Sequence, residues 1–250
     1  MAAYWNPVRL FSWQKQMEVR QHMNLTDIIG PVMVGPSSSH TAGAVKIGGV
    51  SRKLLADKVV SADIGLHGSF LATGRGHGTD RALIAGLLGM AVDDPRIPGS
   101  FEVAKAEGMD FRIGGVDLGE VHPNSVRMDL TGASGRTLQV VAASLGGGQI
   151  QICELDGLTA NFSGDFPTLI VHNIDQPGHV TEVTSMLGHK SVNIATMQLY
   201  REKRGGNAVM VIECDQEVPV ESIDWLTHLE GVIKVTYLSL DGSAEAARSL

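Results

Sequence analysis

The sequence predicts an α/β (α+β) chain built from a mixed α/β unit followed by a smaller ferredoxin-like unit. Hydrophobic residues alternate over short stretches, as in strands, and recur at helical spacing over longer ones. A run of turn-forming residues with little periodicity, 156–167, divides the chain into two blocks. The second block has the order strand, helix, strand, strand, helix, strand, which is typical of a ferredoxin-like βαββαβ fold.

These observations predict the domain organisation. The segments are an N-terminal extension at 1–22, a mixed α/β domain at 23–155, a linker at 156–167, a ferredoxin-like domain at 168–240 and a C-terminal tail at 241–250. The linker can also be interpreted as a last, loose strand of the first domain. The extension is predicted to be partly helical from Ser12, and Met23 is an alternative start of the chain.

Periodicity predicts the elements of the first domain. Its helices span 41–55 and 79–90, with Thr79 or Asp80 near the cap of the second helix. Its strands span 59–66, 111–114, 125–130, 136–143 and 149–154.

The second domain is more regular. Its helices span 179–189 and 220–229, each with apolar residues on one face. Its strands span 168–173, 192–200, 208–214 and 232–240. The turn Asp175-Gln176-Pro177-Gly178 leads into the first helix.

The composition argues against two classes of partner. The chain has 250 residues and a formal net charge of −7, and its Lys and Arg residues do not cluster, so no nucleic-acid partner is expected. Because no run of about 18 apolar residues occurs, no membrane span is expected. Residues 1–22 lack the continuous apolar core of a signal peptide, which makes the cytoplasm the expected location.

The chain contains two cysteines, Cys153 and Cys214, which are far apart in the sequence. Without paired spacing they are interpreted as small buried residues. An iron–sulfur cluster usually needs three or four thiolates. We therefore expect no metal site on this chain.

The sharpest motif is Gly35-Pro36-Ser37-Ser38-Ser39-His40-Thr41, which lies just before the first predicted helix. Hydroxyl groups and unsatisfied N–H groups at a helix start favour a carboxylate or a phosphate. The alternative is a helix cap with more serines than a cap needs.

A second motif, residues 66–80, reads LHGSFLATGRGHGTD. We interpret its glycines at 74, 76 and 78 as a loop that lets the backbone and His77 approach a ligand. The spacing matches neither a dinucleotide-binding fingerprint nor a P-loop. The alternative for His77 is an exposed loop histidine, and Asp80 is interpreted as a charge at a helix start.

Two shorter motifs complete the set. In His122-Pro123-Asn124-Ser125, Asn124 is a candidate for orienting a polar ligand, although Pro and Asn are also ordinary turn residues. The glycines of Ser144-Leu145-Gly146-Gly147-Gly148 indicate either close approach of a ligand or a plain bend.

Taken together and in order, these four motifs resemble the β region of bacterial iron–sulfur-dependent L-serine dehydratases. The resemblance covers about 24–153 and departs at His67, often tyrosine in the family, and at Ser125, often glycine. The second block resembles an ACT domain, because Asp-x-Pro-Gly at 175–178 stands before its first helix.

The resemblance implies that L-serine loses water to give an aminoacrylate, and then pyruvate and ammonia. It implies a [4Fe–4S] cluster whose open iron acts as a Lewis acid on the substrate hydroxyl. Since this chain lacks the thiolates, the resemblance implies an α subunit that carries them.

Roles follow from the same resemblance. His77 is the preferred base and His40 its rival or an orienting group. The predicted substrate-binding residues are Ser37, Ser38, Ser39, Thr41, Gly76 and Asn124. The ACT domain is expected to associate with a second copy, and its candidate effector residues are Asp175, Gly178 and His179.

A different class of function remains open at this point. The chain could be a regulatory module that binds an anionic effector at the serine-rich helix start and an amino acid at the ACT domain. An anion sensor needs no base, so His77, His40 and Asn124 discriminate between the two hypotheses.

Overall fold

The computed structural model describes residues 32–240, which form two sheets with helices packed against them. The predicted extension at 1–22, the alternative start at Met23 and the tail at 241–250 lie outside the described residues. No helix within 32–240 has the length and apolar character needed to cross a membrane.

The N-terminal unit begins with a π-helical turn at Ser38–Gly43, which runs directly into α1 at Ala44–Leu55. The remaining helical elements are α2 (Gly68–His77), α3 (Thr79–Leu87), a 3₁₀ turn (Ile97–Gly99) and α4 (Ser100–Ala106). The strands are β1 (Val59–Leu66), β2 (Asp110–Gly115), β3 (Ser125–Gly132), β4 (Thr137–Gly146), β5 (Gln149–Leu155) and β6 (Leu158–Phe162).

These strands form one sheet in the order β2-β1-β3-β4-β5-β6. The β1–β2 pair is parallel, whereas the other neighbours are antiparallel. The five strands predicted for this unit are confirmed, and β6 is the loose strand that was the alternative to a linker. The boundaries of the domains remain a prediction.

The interpretation of the second motif as a loop is wrong, because 68–77 is helical. Three features stabilise α2 despite its glycines. Phe70 is fully buried, the Pro123 carbonyl accepts a hydrogen bond from the Ser69 N–H, and Gly78 ends the helix with φ +70°. Tertiary contacts therefore override the low helix propensity of glycine.

Helices α1 and α3 cross at two glycines, Gly48 and Gly86. A Cβ added to Gly86 would overlap the Val45 carbonyl oxygen and lie 2.7 Å from the Gly49 nitrogen. These are backbone atoms of the facing helix, so they cannot move aside cheaply. The close approach of the two helices therefore depends on glycine at this crossing.

We expect Gly86→Ala to lower the free energy of unfolding by about 1–3 kcal/mol, because overpacking forces the helices apart. Urea unfolding at unchanged slope measures the loss. Gly49→Ala is the matched control, since its Cβ would meet only the Gly86 oxygen at 3.9 Å. Equal stability of the two variants would contradict the crossing as described.

The C-terminal unit has the predicted βαββαβ order, which confirms the ferredoxin-like fold. Its elements are β7 (Thr168–Ile174), α5 (His179–His189), β8 (Ile194–Arg201), β9 (Asn207–Cys214), α6 (Val220–Thr227) and β10 (Val232–Leu238). Its antiparallel sheet has the order β10-β7-β9-β8.

Both faces of the two central strands of this sheet, β7 and β9, are buried. In β9, Met210 and Ile212 pack with the helices of the C-terminal unit, whereas Val209 and Val211 join the core of the N-terminal unit. In β7, Ile170 likewise faces the N-terminal core. The alternation of a strand therefore places one face of the sheet in each core, and the two units share a continuous apolar contact.

Candidate active site

The four motifs converge at one end of the N-terminal sheet, beginning with the start of the first helical segment. Ser37 is the N-cap of the π-helical turn, and its Oγ accepts a hydrogen bond from the His40 N–H at 3.1 Å. Turns of π-helix are rare in proteins, and those that do occur often lie at functional sites. Here the turn directs the His40 ring towards α2.

His40 lies among hydroxyl groups on α2. Its Nε2 is 3.0 Å from Thr73 Oγ1 and 3.2 Å from Ser69 Oγ, and its Nδ1 is 3.5 Å from Ser37 Oγ. Because Thr73 donates its own hydroxyl proton to the Ser69 carbonyl, it accepts from His40 Nε2–H. This network therefore assigns the proton of a neutral His40 to Nε2.

His77 lies beside His40, with 4.9 Å between the ring centroids. Its Nδ1 is 3.2 Å from the Thr73 carbonyl oxygen, which can only accept a hydrogen bond. A neutral His77 therefore carries its proton on Nδ1, which leaves the Nε2 lone pair free to accept one.

The electrostatics of the pair favour neutral imidazole at His40. Burial lowers the pKa of His40 below its usual value, and the neighbouring His77 lowers it further, although a hydrogen bond to Ser69 opposes the shift. A neutral ring is the form that can accept a proton.

The three serine hydroxyls of the first motif differ in their hydrogen bonds. Ser37 caps the turn, whereas the hydroxyls of Ser38 and Ser39 make no hydrogen bond within residues 32–240. The backbone beside them is held, because Ser144 Oγ donates to the Ser39 carbonyl at 2.9 Å. A Cβ on Gly43 would overlap Ser144 Oγ, so glycine is required for this contact.

The hydroxyl of Thr41 has a partner within the chain. Thr41 is 2% exposed, and its Oγ1 donates to the His77 carbonyl at 3.2 Å. The hydroxyl is therefore engaged in joining the π-helical turn to the end of α2. Thr41 thus helps to hold His77 in place, while its contact with the substrate stays a prediction.

The His122-Pro123-Asn124 turn holds the start of α2. A Cβ on Gly68 would lie 2.6 Å from the Pro123 carbonyl oxygen, and the same oxygen accepts from Ser69 N–H at 2.7 Å. Asn124 Nδ2 donates to the Ser144 carbonyl at 3.4 Å. The turn thus joins two of the other motifs, while contact of Asn124 with substrate stays a prediction.

Gly76 is exposed on α2 beside His77, and a Cβ there would meet no atom of residues 32–240 within 4 Å. Packing among these residues therefore does not require glycine at this position. Glycine inside a helix costs about 0.5–1 kcal/mol relative to alanine. An approaching molecule that needs the space would explain it, which is consistent with the predicted role of Gly76.

Sequence reasoning missed Ser69 and Thr73, which contact His40. They and His77 occupy positions i, i+4 and i+8 of α2, a spacing that aligns side chains on one helical face. The signal was present in the sequence, but it is visible only if 68–77 is interpreted as a helix.

The two departures from the family pattern have structural partners. His67 Nδ1 accepts a hydrogen bond from the Leu118 N–H at 3.2 Å. Ser125 is buried, and its Oγ donates to the His122 carbonyl at 2.6 Å. Both residues thus stabilise loops around the site.

The candidate effector residues lie at the start of α5. Asp175 Oδ2 binds Arg201 at 3.2 Å and Gly205 N–H at 3.1 Å, so it holds the β8–β9 hairpin. Gly178 has φ +109°, which glycine adopts freely. His179 is buried, and its Nδ1 lies 3.5 Å from Glu182, yet neither ring nitrogen forms a hydrogen bond with the described residues.

The donors of this chain do not fit an iron–sulfur cluster. Cys153 lies in β5 and Cys214 in β9, and these strands belong to different sheets. Burial raises the pKa of the Cys153 thiol and that of Cys214, the latter to about 11. Within 32–240 no three His, Cys, Asp or Glu side chains are grouped to hold a metal ion.

Comparison with known proteins assigns the chain to a family. Residues 25–104 match the family model described as serine dehydratase beta chain. The probable L-serine dehydratase beta chain of Bacillus subtilis is 38% identical over 219 residues, which cover 88% of this chain and 99% of that protein. The L-serine dehydratase beta chain of Peptoniphilus asaccharolyticus is 38% identical over 191 residues, covering 76% and 86%.

A solved ACT domain, from the GTP pyrophosphokinase of Chlorobium tepidum, is 18% identical, with a TM-score of 0.23, and the match covers 29% of this chain and 96% of that domain. The family assignment depends on the two sequence relatives, which match 88% and 76% of this chain at 38% identity. The chain therefore belongs to the family of L-serine dehydratase beta chains.

Proposed function

We propose that this chain, with an α chain, converts L-serine to pyruvate and ammonia. The observation that carries the proposal is the His40–His77 pair beside a helix start where two serine hydroxyls make no hydrogen bond with the described residues. The α-proton and the β-hydroxyl of L-serine leave as water, and the aminoacrylate tautomerises to an imine. Water then hydrolyses the imine to pyruvate and ammonia.

In this proposal the helix start binds the substrate carboxylate. Ser38 and Ser39 supply hydroxyl donors, and the open N–H groups of the π-helical turn add a partial positive charge. Removal of the α-proton places negative charge on the carboxylate. Donors fixed around that group stabilise the charge as it develops.

His77 Nε2 takes the α-proton. Thr73 fixes the other ring nitrogen through its carbonyl oxygen, and Thr41 holds the backbone carbonyl of His77. His40 orients the substrate, because its ring is itself fixed by hydroxyl groups on both sides. The presence of a base is what separates this function from anion sensing alone, and no observation favours the regulatory module.

We infer that the α chain supplies the thiolates of the [4Fe–4S] cluster that the resemblance implies. The two cysteines of this chain are too few and lie in separate sheets. The same reasoning makes an α chain necessary for turnover.

We also propose that the C-terminal unit pairs with a second copy and binds a small effector near Asp175, Gly178 and His179. Its edge strands β8 and β10 are free to pair within the described part of the chain. Neither ring nitrogen of the buried His179 forms a hydrogen bond with the described residues, which supports a polar ligand at this turn.

The function is tested with the complex of both chains, purified without oxygen. We expect L-serine to give pyruvate and ammonia in equal amounts, whereas L-alanine, which lacks the β-hydroxyl, should give neither. A well-formed complex that releases no pyruvate from L-serine would refute the proposed function.

The carboxylate site is tested by Ser38→Ala combined with Ser39→Ala. A hydrogen bond to a charged group contributes about 1.5–3 kcal/mol, so we expect KM for L-serine to rise by at least tenfold. Ser185→Ala, an exposed serine on α5, is the matched control. Unchanged KM and kcat in the double variant would mean that the serine run only caps the helix.

A further inference from the structure

The face of α2 opposite His77 borders an open groove. Ser69, Thr73 and His77 face His40, whereas Leu71 and Arg75 lie on the other side of the helix and line the groove. Strand β2 is the edge of the sheet, and its residues Phe111 and Ile113 are only half-buried. The result is a cavity of about 410 Å³, within the range of small-molecule sites.

The groove is apolar along most of its length. Its apolar side chains are Leu66, Leu71, Phe101, Phe111 and Ile113. Leu71 is 50% exposed, so a ligand would cover surface that the described residues leave in water. No hydroxyl or amide side chain lines the cavity, so the hydroxyl of a ligand such as L-serine would find no neutral polar side chain as a partner there.

Two opposite charges mark one end of the groove. Arg75 lies in the last turn of α2 and Asp80 in the first turn of α3, with the left-handed Gly78 between the helices. Both line the cavity, yet neither forms an ion pair within residues 32–240. A guanidinium binds carboxylates in a bidentate manner, and a carboxylate accepts from an ammonium group.

From this arrangement we propose that the groove binds an α-amino acid with an apolar side chain, such as leucine or phenylalanine. Arg75 binds the carboxylate, Asp80 the ammonium group, and the apolar walls cover the side chain. A single cation and a single anion at one end match a zwitterion better than a phosphorylated ligand. This site is separate from the helix start that binds substrate and from the turn at Asp175.

The test is isothermal titration calorimetry of the full chain with L-leucine and with L-phenylalanine. We expect saturable binding of one molecule per chain. Probes that lack one feature should bind at least tenfold more weakly: 4-methylpentanoate has no ammonium group, isopentylamine has no carboxylate, and L-serine has no apolar side chain. Wild-type chain that binds neither leucine nor phenylalanine overturns the proposal.

Variants separate this site from adventitious binding. Arg75→Gln should weaken leucine binding roughly 10- to 100-fold, because a charged hydrogen bond is lost. Arg204→Gln, at an exposed arginine of the β8–β9 hairpin, should bind leucine normally. Equal affinities in the two variants overturn the proposal. If Leu71→Asp releases the α chain while no amino acid binds, the groove is a subunit contact and the proposal also fails.

Discussion

Replacing His77 with glutamine should reduce kcat for L-serine by about 10²–10⁴-fold while KM stays nearly unchanged. General base catalysis contributes that range. Glutamine can still donate to the Thr73 carbonyl, as His77 Nδ1 does, but it cannot accept a proton at neutral pH. Steady-state kinetics of the anaerobic complex measures the two constants separately.

His189→Gln is the matched control for this change. His189 also lies in the last turn of a helix, and its Nδ1 is 2.7 Å from the carbonyl of Ser185, four residues earlier. It therefore repeats the local arrangement of His77 in the C-terminal unit. If both variants lose activity equally, the loss comes from the helix end and not from a missing base.

His40→Gln distinguishes the two histidines. We expect it to raise KM, because His40 lies on the turn that is proposed to bind the carboxylate. Loss of kcat in His40→Gln with normal turnover in His77→Gln would move the base to His40. Full activity in both variants would mean that neither histidine takes part in catalysis. The chain would then be a regulatory module bound to a catalytic partner.

The sequence predicted best those elements whose own pattern determines them. Helix α5 has the predicted bounds, His179–His189, because its apolar residues recur on one face between a Pro-Gly turn and a left-handed Ser191. Most strands of both sheets were placed within a few residues, because they are short runs rich in β-branched and apolar residues between turn formers. The order of elements in the C-terminal unit follows from that regularity.

Helix α2 shows where such reasoning fails. Gly74, Gly76 and Gly78 predict a loop, but the start of the helix is capped by the carbonyl of Pro123, a residue more than fifty positions away. Only the folded sheet brings that carbonyl to Ser69. A contact of such sequence separation leaves no local periodicity, so propensity alone gives the wrong element.

The candidate site was predicted only in part, because its geometry also depends on contacts between residues distant in the sequence. His40 and His77 stand out as polar residues in unusual motifs, and the structure brings their rings together. Thr41 stands in the same motif as His40 but is buried, because a π-helical turn rotates it inward. The motifs indicated which segments come together. The direction in which each side chain points could be predicted only from the geometry of the turn.

The second prediction with a large expected effect concerns the iron–sulfur cluster. Purified alone, this chain should contain no stoichiometric iron or acid-labile sulfide and should not deaminate L-serine. The complex with the α chain, assembled without oxygen, should contain about four of each per cluster and be active. Metal and sulfide analysis, together with the visible absorption spectrum, measures the difference.

A variant without cysteines tests directly whether this chain ligates the cluster. Cys153→Ala combined with Cys214→Ala removes every thiol of this chain. Because a cluster is ligated by thiolates, and burial raises the pKa of both thiols, neither residue is suited to ligation. The complex made with this variant should therefore keep its full iron content and its activity. Loss of the cluster from that complex, with the two chains still associated, would show that this chain contributes a ligand.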